Sequence, residues 1–258
     1  MKVERTGDGS RAFVGVHGWA GNSRTFRRLC AYMPPDASFY ATDLPGYGET
    51  PPPKDWSLDR VLEHIAEMVR EVVSDDITLV CNCGGAQFGL ETLRVHGLPV
   101  RRVVLIDPFA YCPWYFRVFT LGTFGRNAYY TTFGNPLGRF FTNNALRRRR
   151  RKETNLTAAF TRVNHEVAHR YLCFMVSLED TFRFRGLDVA IDIAHGDRTF
   201  KAVRSSLAIW REVFPDVRIC ELEGAGHEPI REATEQLAKI IFEDPRGDNA
   251  SNHPGVTQ

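Results

Sequence analysis

Short apolar runs alternate with amphipathic stretches along the first half of the chain. Residues 12–16 (AFVGV) and 38–42 (SFYAT) read as strands. So do 77–81 (ITLVC) and 102–106 (RVVLI), where near-continuous apolarity predicts strands buried on both faces. Between the first two, the spacing of Phe26, Leu29 and Met33 predicts a helix capped near Asn22 or Ser23 and ended by Pro34 and Pro35. From Ser57, the series Leu58, Val61, Leu62, Ile65, Val69, Val72 and Val73 predicts an amphipathic helix. Another helix follows 77–81 and stops at Gly97 and Pro99. This β-α-β-α order predicts a mainly parallel sheet covered by helices on both faces.

The rhythm breaks after Pro113. Residues 113–186 are rich in aromatics, Arg and Asn, and read as an inserted cap. Strands resume at 189–194 (VAIDIA) and 217–222 (VRICEL), and a final helix is expected over 229–242. The expected organisation is a core of 1–112 and 187–243, a cap of 113–186, and a polar tail of 244–258.

Composition adds limits. The 258 residues are 43% hydrophobic and 25% charged, enough for a sizeable core without disulfides or structural metal. No apolar run is long enough to span a membrane, and the polar residues 1–11 lack the apolar stretch of a signal peptide. The expectation is a cytoplasmic protein whose six cysteines are thiols. The net charge of +2 is uneven, because 147–152 are six consecutive cations. Setting them aside leaves 27 Lys and Arg against 31 Asp and Glu, which argues against a general nucleic-acid binder. The basic run reads as a solvated face or as a docking patch for an anionic partner such as a carrier protein or coenzyme A phosphates.

The chemistry concentrates at Leu79-Val80-Cys81-Asn82-Cys83-Gly84-Gly85-Ala86, where a buried strand enters a glycine-rich turn and a helix. That is the setting of the nucleophile elbow G-x-S-x-G, with Cys81 at the first glycine and Cys83 at the serine. A thiol there lies at a helix N-terminus, which favours its thiolate. With this motif the chain resembles the α/β-hydrolase fold family. Val16-His17-Gly18-Trp19 looks like the family's oxyanion loop, Asp43-Leu44-Pro45-Gly46-Tyr47-Gly48 like its D-x-P-G-x-G loop, and Gly224-Ala225-Gly226-His227-Glu228-Pro229 like its histidine loop. The matches span about 11–112 and 187–242.

The resemblance implies Cys83 as nucleophile and His227 as general base, with the backbone N–H groups of Trp19 and Gly84 holding the oxyanion. Such donors each stabilise a transition state by about 3–4 kcal/mol. The acid departs from the family. In Gly196-Asp197-Arg198-Thr199, Thr199 stands where the G-x-x-D acid belongs. Three alternatives stay open: Asp107 at the end of the preceding strand, Asp197, or no acid, since a thiol ionises more easily than a hydroxyl.

The expected reaction is acyl transfer through a thioester, to water or to an amine or alcohol, with no cofactor or metal. The substrate is a small-molecule acyl ester or thioester with a medium or large apolar or aromatic group, carrier-linked or CoA-linked in one version. Aromatic cap residues including Tyr111, Trp114 and Phe116 are candidates to line its pocket. Two other classes remain: an inactive ligand- or protein-binding relative, and a lyase or isomerase working through His227 alone. His165-Glu166-Val167-Ala168-His169 also matches H-E-x-x-H, but zinc chemistry there would leave the elbow and both loops unexplained.

Overall fold

The computed structural model describes residues 3–148 and 157–243. The expected tail at 244–258 and residues 149–152 of the basic run lie outside the described residues.

Seven strands form one sheet: β1 (Val3–Thr6), β2 (Arg11–Val16), β3 (Ala37–Thr42), β4 (Ile77–Asn82), β5 (Arg102–Ile106), β6 (Ala190–Gly196) and β7 (Arg218–Leu222). Their order is β1-β3-β2-β4-β5-β6-β7, and every pair is parallel except the antiparallel pair β1–β3. Strand β1 has no counterpart in the sequence reading. It is a polar edge strand (VERT) with no buried residue, so it carries no apolar run to find.

Alternate strand residues feed two cores. On one face Val14, Leu79, Val103 and Ile193 meet helices α2 (Leu58–Glu71), α3 (Gly85–His96) and α8 (Lys201–Val213). On the other, Phe13, Val80, Val104 and Ala194 meet α1 (Arg27–Cys30), α9 (Pro229–Glu232) and α10 (Thr234–Phe242). The period of two along each strand therefore accounts for the continuous apolar runs.

Local signals agree with the ends of most elements. Asn22 accepts from Arg24 N–H ahead of a 3-10 turn, and Ser57 accepts from Arg60 N–H as the cap of α2. Gly97 closes α3 in the left-handed conformation (φ 57°). Helix α2 ends at Glu71, so Val73 projects into solvent despite its helical spacing. The last helix is split at Ala233 (φ −143°). Helix α8 went unpredicted, although Val203, Ser206, Trp210 and Val213 keep its buried face at helical spacing.

The insertion between β5 and β6 is helical: α4 (Trp114–Val118), α5 (Gly122–Tyr129), a π-helical turn at Tyr130–Gly134, α6 (Pro136–Arg148) and α7 (His165–Ser177). It has its own core of Tyr129, Phe133, Phe160, Ala168 and Leu172. Among the described residues no helix is long and apolar enough to cross a membrane.

Candidate active site

The C-terminal ends of β2, β4 and β5 and the loop after β7 converge, which is where open parallel sheets assemble sites. Cys83 follows β4 with φ 48°, a left-handed backbone uncommon for a side-chain-bearing residue. Its N–H donates to Ile106 O (2.8 Å), continuing the ladder to β5, and the chain then turns directly into α3. Small residues make that turn possible. A Cβ on Gly85 would lie 2.5 Å from Val16 O, and one on Gly18 would lie 2.9 Å from Asn82 O and 3.1 Å from Cys83 Cβ. Cys81 is wholly buried with its sulfur against Gly89, and burial pushes its thiol far up. It packs strand to helix.

Cys83 Sγ lies 3.4 Å from His227 Nε2, and His227 Nδ1 bonds Asp107 Oδ2 on its far side. Asp107 is fully buried and, like Cys83 on the neighbouring strand, has a positive φ (50°). Its N–H donates to Ala194 O (2.8 Å) and continues the ladder from β5 to β6. Two further donors hold the carboxylate: Gly196 N–H to Oδ1 (3.2 Å) and Thr199 Oγ1 to Oδ2 (2.5 Å). Thr199, at the position where the resemblance expects an acid, thus donates a hydrogen bond to a carboxylate on the neighbouring strand.

Asp197, the other acid considered, does not join this chain. Its carboxylate lies 3.7 Å from Arg198, and one oxygen is buried without a hydrogen-bond partner. Two residues before the Thr199 position, it is carried on the turn after β6 and not toward the imidazole.

Burial alone would lower the pKa of His227. Attraction to the negative charges of Cys83 and Asp107, with the hydrogen bonds to both, outweighs it and raises the value to about 10. His227 therefore holds its proton at neutral pH. Phe109 and Phe200 flank the ring, with centroids 5.5 and 4.6 Å away.

The backbone N–H groups of Trp19 and Gly84 have no acceptor among the described residues. The two residues adjoin: a Cβ placed on Gly84 would be 3.7 Å from Trp19 N. The same Cβ would strike Met175 Sδ at 2.5 Å, so a cap methionine from α7 closes over the turn. The loop carrying Trp19 is fixed from below. His17 Nδ1–H donates to Gly18 O and His17 Nε2 accepts from Leu44 N–H, both 2.9 Å, and burial lowers its pKa to about 4, keeping it neutral. Asp43 in turn accepts from Ser23 and Glu49 N–H (2.7 Å each) and leaves no room for a Cβ at Gly48. His17 and Asp43 are braces of the two loops.

The indole of Trp19 points away into the cap, where Nε1–H donates to Ala168 O (2.7 Å) and the ring meets Phe116, Phe133 and Phe160 edge to face. Of the three pocket-lining candidates, Phe116 therefore abuts the oxyanion-type loop. Tyr111 is half-buried just beyond β5, and Trp114 stands 74% exposed. Trp114 is a correction: at the first turn of α4 it faces outward, leaving the inward position to Phe116.

In the H-E-x-x-H segment, His169 Nε2–H donates to Phe119 O (2.9 Å), His165 Nδ1 lies 3.3 Å from Tyr129 Oη, and Glu166 pairs with Arg170. These side chains hold the cap together.

Comparison with known proteins follows this geometry. Residues 13–240 match the profile of the Alpha/beta hydrolase family. The chain belongs to that family. A Drosophila melanogaster protein described as a probable serine hydrolase is 46% identical over 37 residues, which span 14% of this chain and 11% of that protein. A thermophilic esterase from Thermogutta terrifontis superposes with TM-score 0.76 at 15% identity, covering 98% of this chain and 94% of that one. The thioesterase domain from the curacin biosynthetic pathway superposes with TM-score 0.63 at 14% identity, covering 93% and 94%. At these identities the superpositions establish the fold.

This α/β hydrolase keeps site residues that sequence reasoning missed. Thr199 was read as a lost acid, and its partner was invisible because Asp107 lies 92 residues away. Phe109, Phe200 and Met175 carry no motif. For Asp107 the signal was present, a carboxylate ending a buried strand.

Proposed function

We propose that the protein is a cysteine-dependent acyl-transfer enzyme acting on an ester or thioester. The observation that carries this reading is the chain Cys83 Sγ, His227, Asp107, with Cys83 on a strained strand-to-helix turn. The Cys83 thiolate attacks the acyl carbonyl carbon, forming a C–S bond and moving the π electrons onto oxygen. The Trp19 and Gly84 N–H groups stabilise that oxyanion. As the tetrahedral species collapses, the C–O or C–S bond to the leaving group breaks, and His227 Nε2 gives up its proton to it. Neutral His227 then takes a proton from the acceptor as the acceptor attacks the thioester, and Cys83 leaves as thiolate.

Water as acceptor makes the enzyme a hydrolase, and an amine or alcohol makes it an acyltransferase. A thioester is more readily attacked by amines than an oxygen ester is, which favours transfer. The cap spanning 113–186 covers the acyl group, with Met175 against the elbow and Phe116 against the Trp19 indole. An apolar or aromatic acyl group, carried on coenzyme A or a carrier protein, fits this reading. Asp107 orients the imidazole and balances its charge.

The test is intact-protein mass after brief incubation with a panel of acyl thioesters and activated esters, for wild type and Cys83→Ala. The expected result is a mass gain equal to the acyl group, mapped to Cys83 and absent in the variant. Its lifetime in water and with added amines separates hydrolysis from transfer. Turnover surviving Cys83→Ala would overturn covalent catalysis in favour of acid–base work by His227. Absence of both adduct and turnover would mark a binding protein.

A further inference from the structure

The cap turns large apolar side chains toward solvent. Trp114 of α4, Leu121 and Phe124 at α5, and Leu137, Phe140 and Phe141 of α6 are between 60% and 74% exposed. Elsewhere in the described core only Tyr32, Val73 and Val95 are large, apolar and exposed, and they are scattered. The i, i+3, i+4 spacing of Leu137, Phe140 and Phe141 puts them on one side of α6, and Leu121 and Phe124 share a side in the same way. This inverts the usual arrangement, in which a surface helix shows its polar face to water.

The charge of the segment is equally one-sided. Between Asp107 and Glu153 the chain contains no Asp or Glu, while it contains Arg117, Arg126, Arg139 and the six cations at 147–152. Arg117 pairs with Glu179 from outside the segment. Arg126 and Arg139 have no carboxylate partner among the described residues. Beside Leu121 and Phe124, a cleft of about 680 Å³ is walled by Thr120, Thr123, Arg126, Asn127 and Tyr130, again without a carboxylate.

We propose that these exposed apolar side chains dock the protein on membranes that carry anionic phospholipid. The aromatic and leucine side chains enter the boundary between headgroups and acyl chains, and Arg126 and Arg139 meet the phosphates. Aromatic rings suit that boundary because they bring apolar area with little conformational entropy. A second copy of the same face is a poor occupant, since it would bring like charges together without compensating carboxylates.

Sedimentation of the full chain with phosphatidylcholine vesicles, with and without phosphatidylserine, tests this. Expected are strong binding to the anionic vesicles, little to phosphatidylcholine alone, and a fall of about tenfold or more on raising salt to about 1 M. Phe140→Ser/Phe141→Ser should weaken binding about tenfold or more while leaving turnover of a water-soluble ester and the melting temperature unchanged. Leu121→Ser/Phe124→Ser, on a different helix, should act in the same direction. Vesicle binding absent for wild type, or equal for wild type and both double variants, overturns the proposal. So does a dimer, or a complex with an acidic carrier protein, that needs the same side chains when vesicles are not bound.

Discussion

Asp107→Asn removes one of the two negative charges facing His227 while preserving size. The raised His227 pKa, from 6.5 to about 10, corresponds to about 5 kcal/mol in favour of the imidazolium at roughly 1.4 kcal/mol per pH unit. Cys83 and Asp107 share that attraction against the opposing cost of burial. Because the net rise is what remains of that attraction after the cost of burial, an even division makes Asp107's share at least about 2–3 kcal/mol. His227 should therefore titrate about two pH units lower in the variant. The measurement is a ring-resonance NMR titration of His227 in both proteins.

A second readout follows from linkage. The folded pKa exceeds the unfolded one, so the stabilisation is fully present below about pH 6.5 and is lost as pH rises toward about 10. Across that window His227 makes wild-type stability fall by up to about 1.4 kcal/mol per pH unit. Asp107→Asn, with Cys83 unchanged, should narrow the window from its upper end. Asn also offers an amide in place of an acceptor for His227 Nδ1–H, so acyl transfer should drop by up to about 10⁴. A wild-type His227 titrating near 6.5, unmoved by Asp107→Asn, would refute the ion-pair reasoning.

Two further outcomes are expected. Thr199→Val keeps the shape but removes the 2.5 Å donor to Asp107, and should cost about 1.5–3 kcal/mol in urea unfolding. Wild-type stability in that variant would mean the hydroxyl is not the carboxylate's partner. Asp192→Ala strips the carboxylate from between Arg102 and Arg218, which bond it at 2.5–3.0 Å across β5, β6 and β7. Because Arg102 is almost wholly buried, losing the carboxylate it bonds should lower stability by about 3–5 kcal/mol, read from chemical denaturation.

Motif and period carried much of this protein. Runs of apolar residues marked six of the strands, and for the central ones the reason is that strands buried on both faces need apolar side chains at nearly every position. Cap residues Asn22 and Ser57 and the stop at Gly97 marked helix ends, because a helix end must satisfy its own orphan groups locally. The elbow, the loop before Trp19 and the loop of His227 were legible because close approach demands glycine at fixed offsets, as at Gly18 and Gly85. The edge strand β1 was not legible, since its stability comes from pairing with β3 and not from its own side chains.

Tertiary structure alone separates the two carboxylates. Asp107 and Asp197 are both carboxylates near strand ends, and nothing local separates them. Only the alignment of β5 beside β6 puts Asp107 under His227 with Gly196 and Thr199 as donors, and leaves Asp197 beside Arg198. It also decided which cap aromatics are core and which are surface. Phe116 and Phe133 meet the indole of Trp19 while Trp114, Phe140 and Phe141 face water, although all are equally apolar in sequence. Local chemistry fixes what a residue can do. Which partners it meets across long stretches of chain depends on packing, which a linear pattern does not encode.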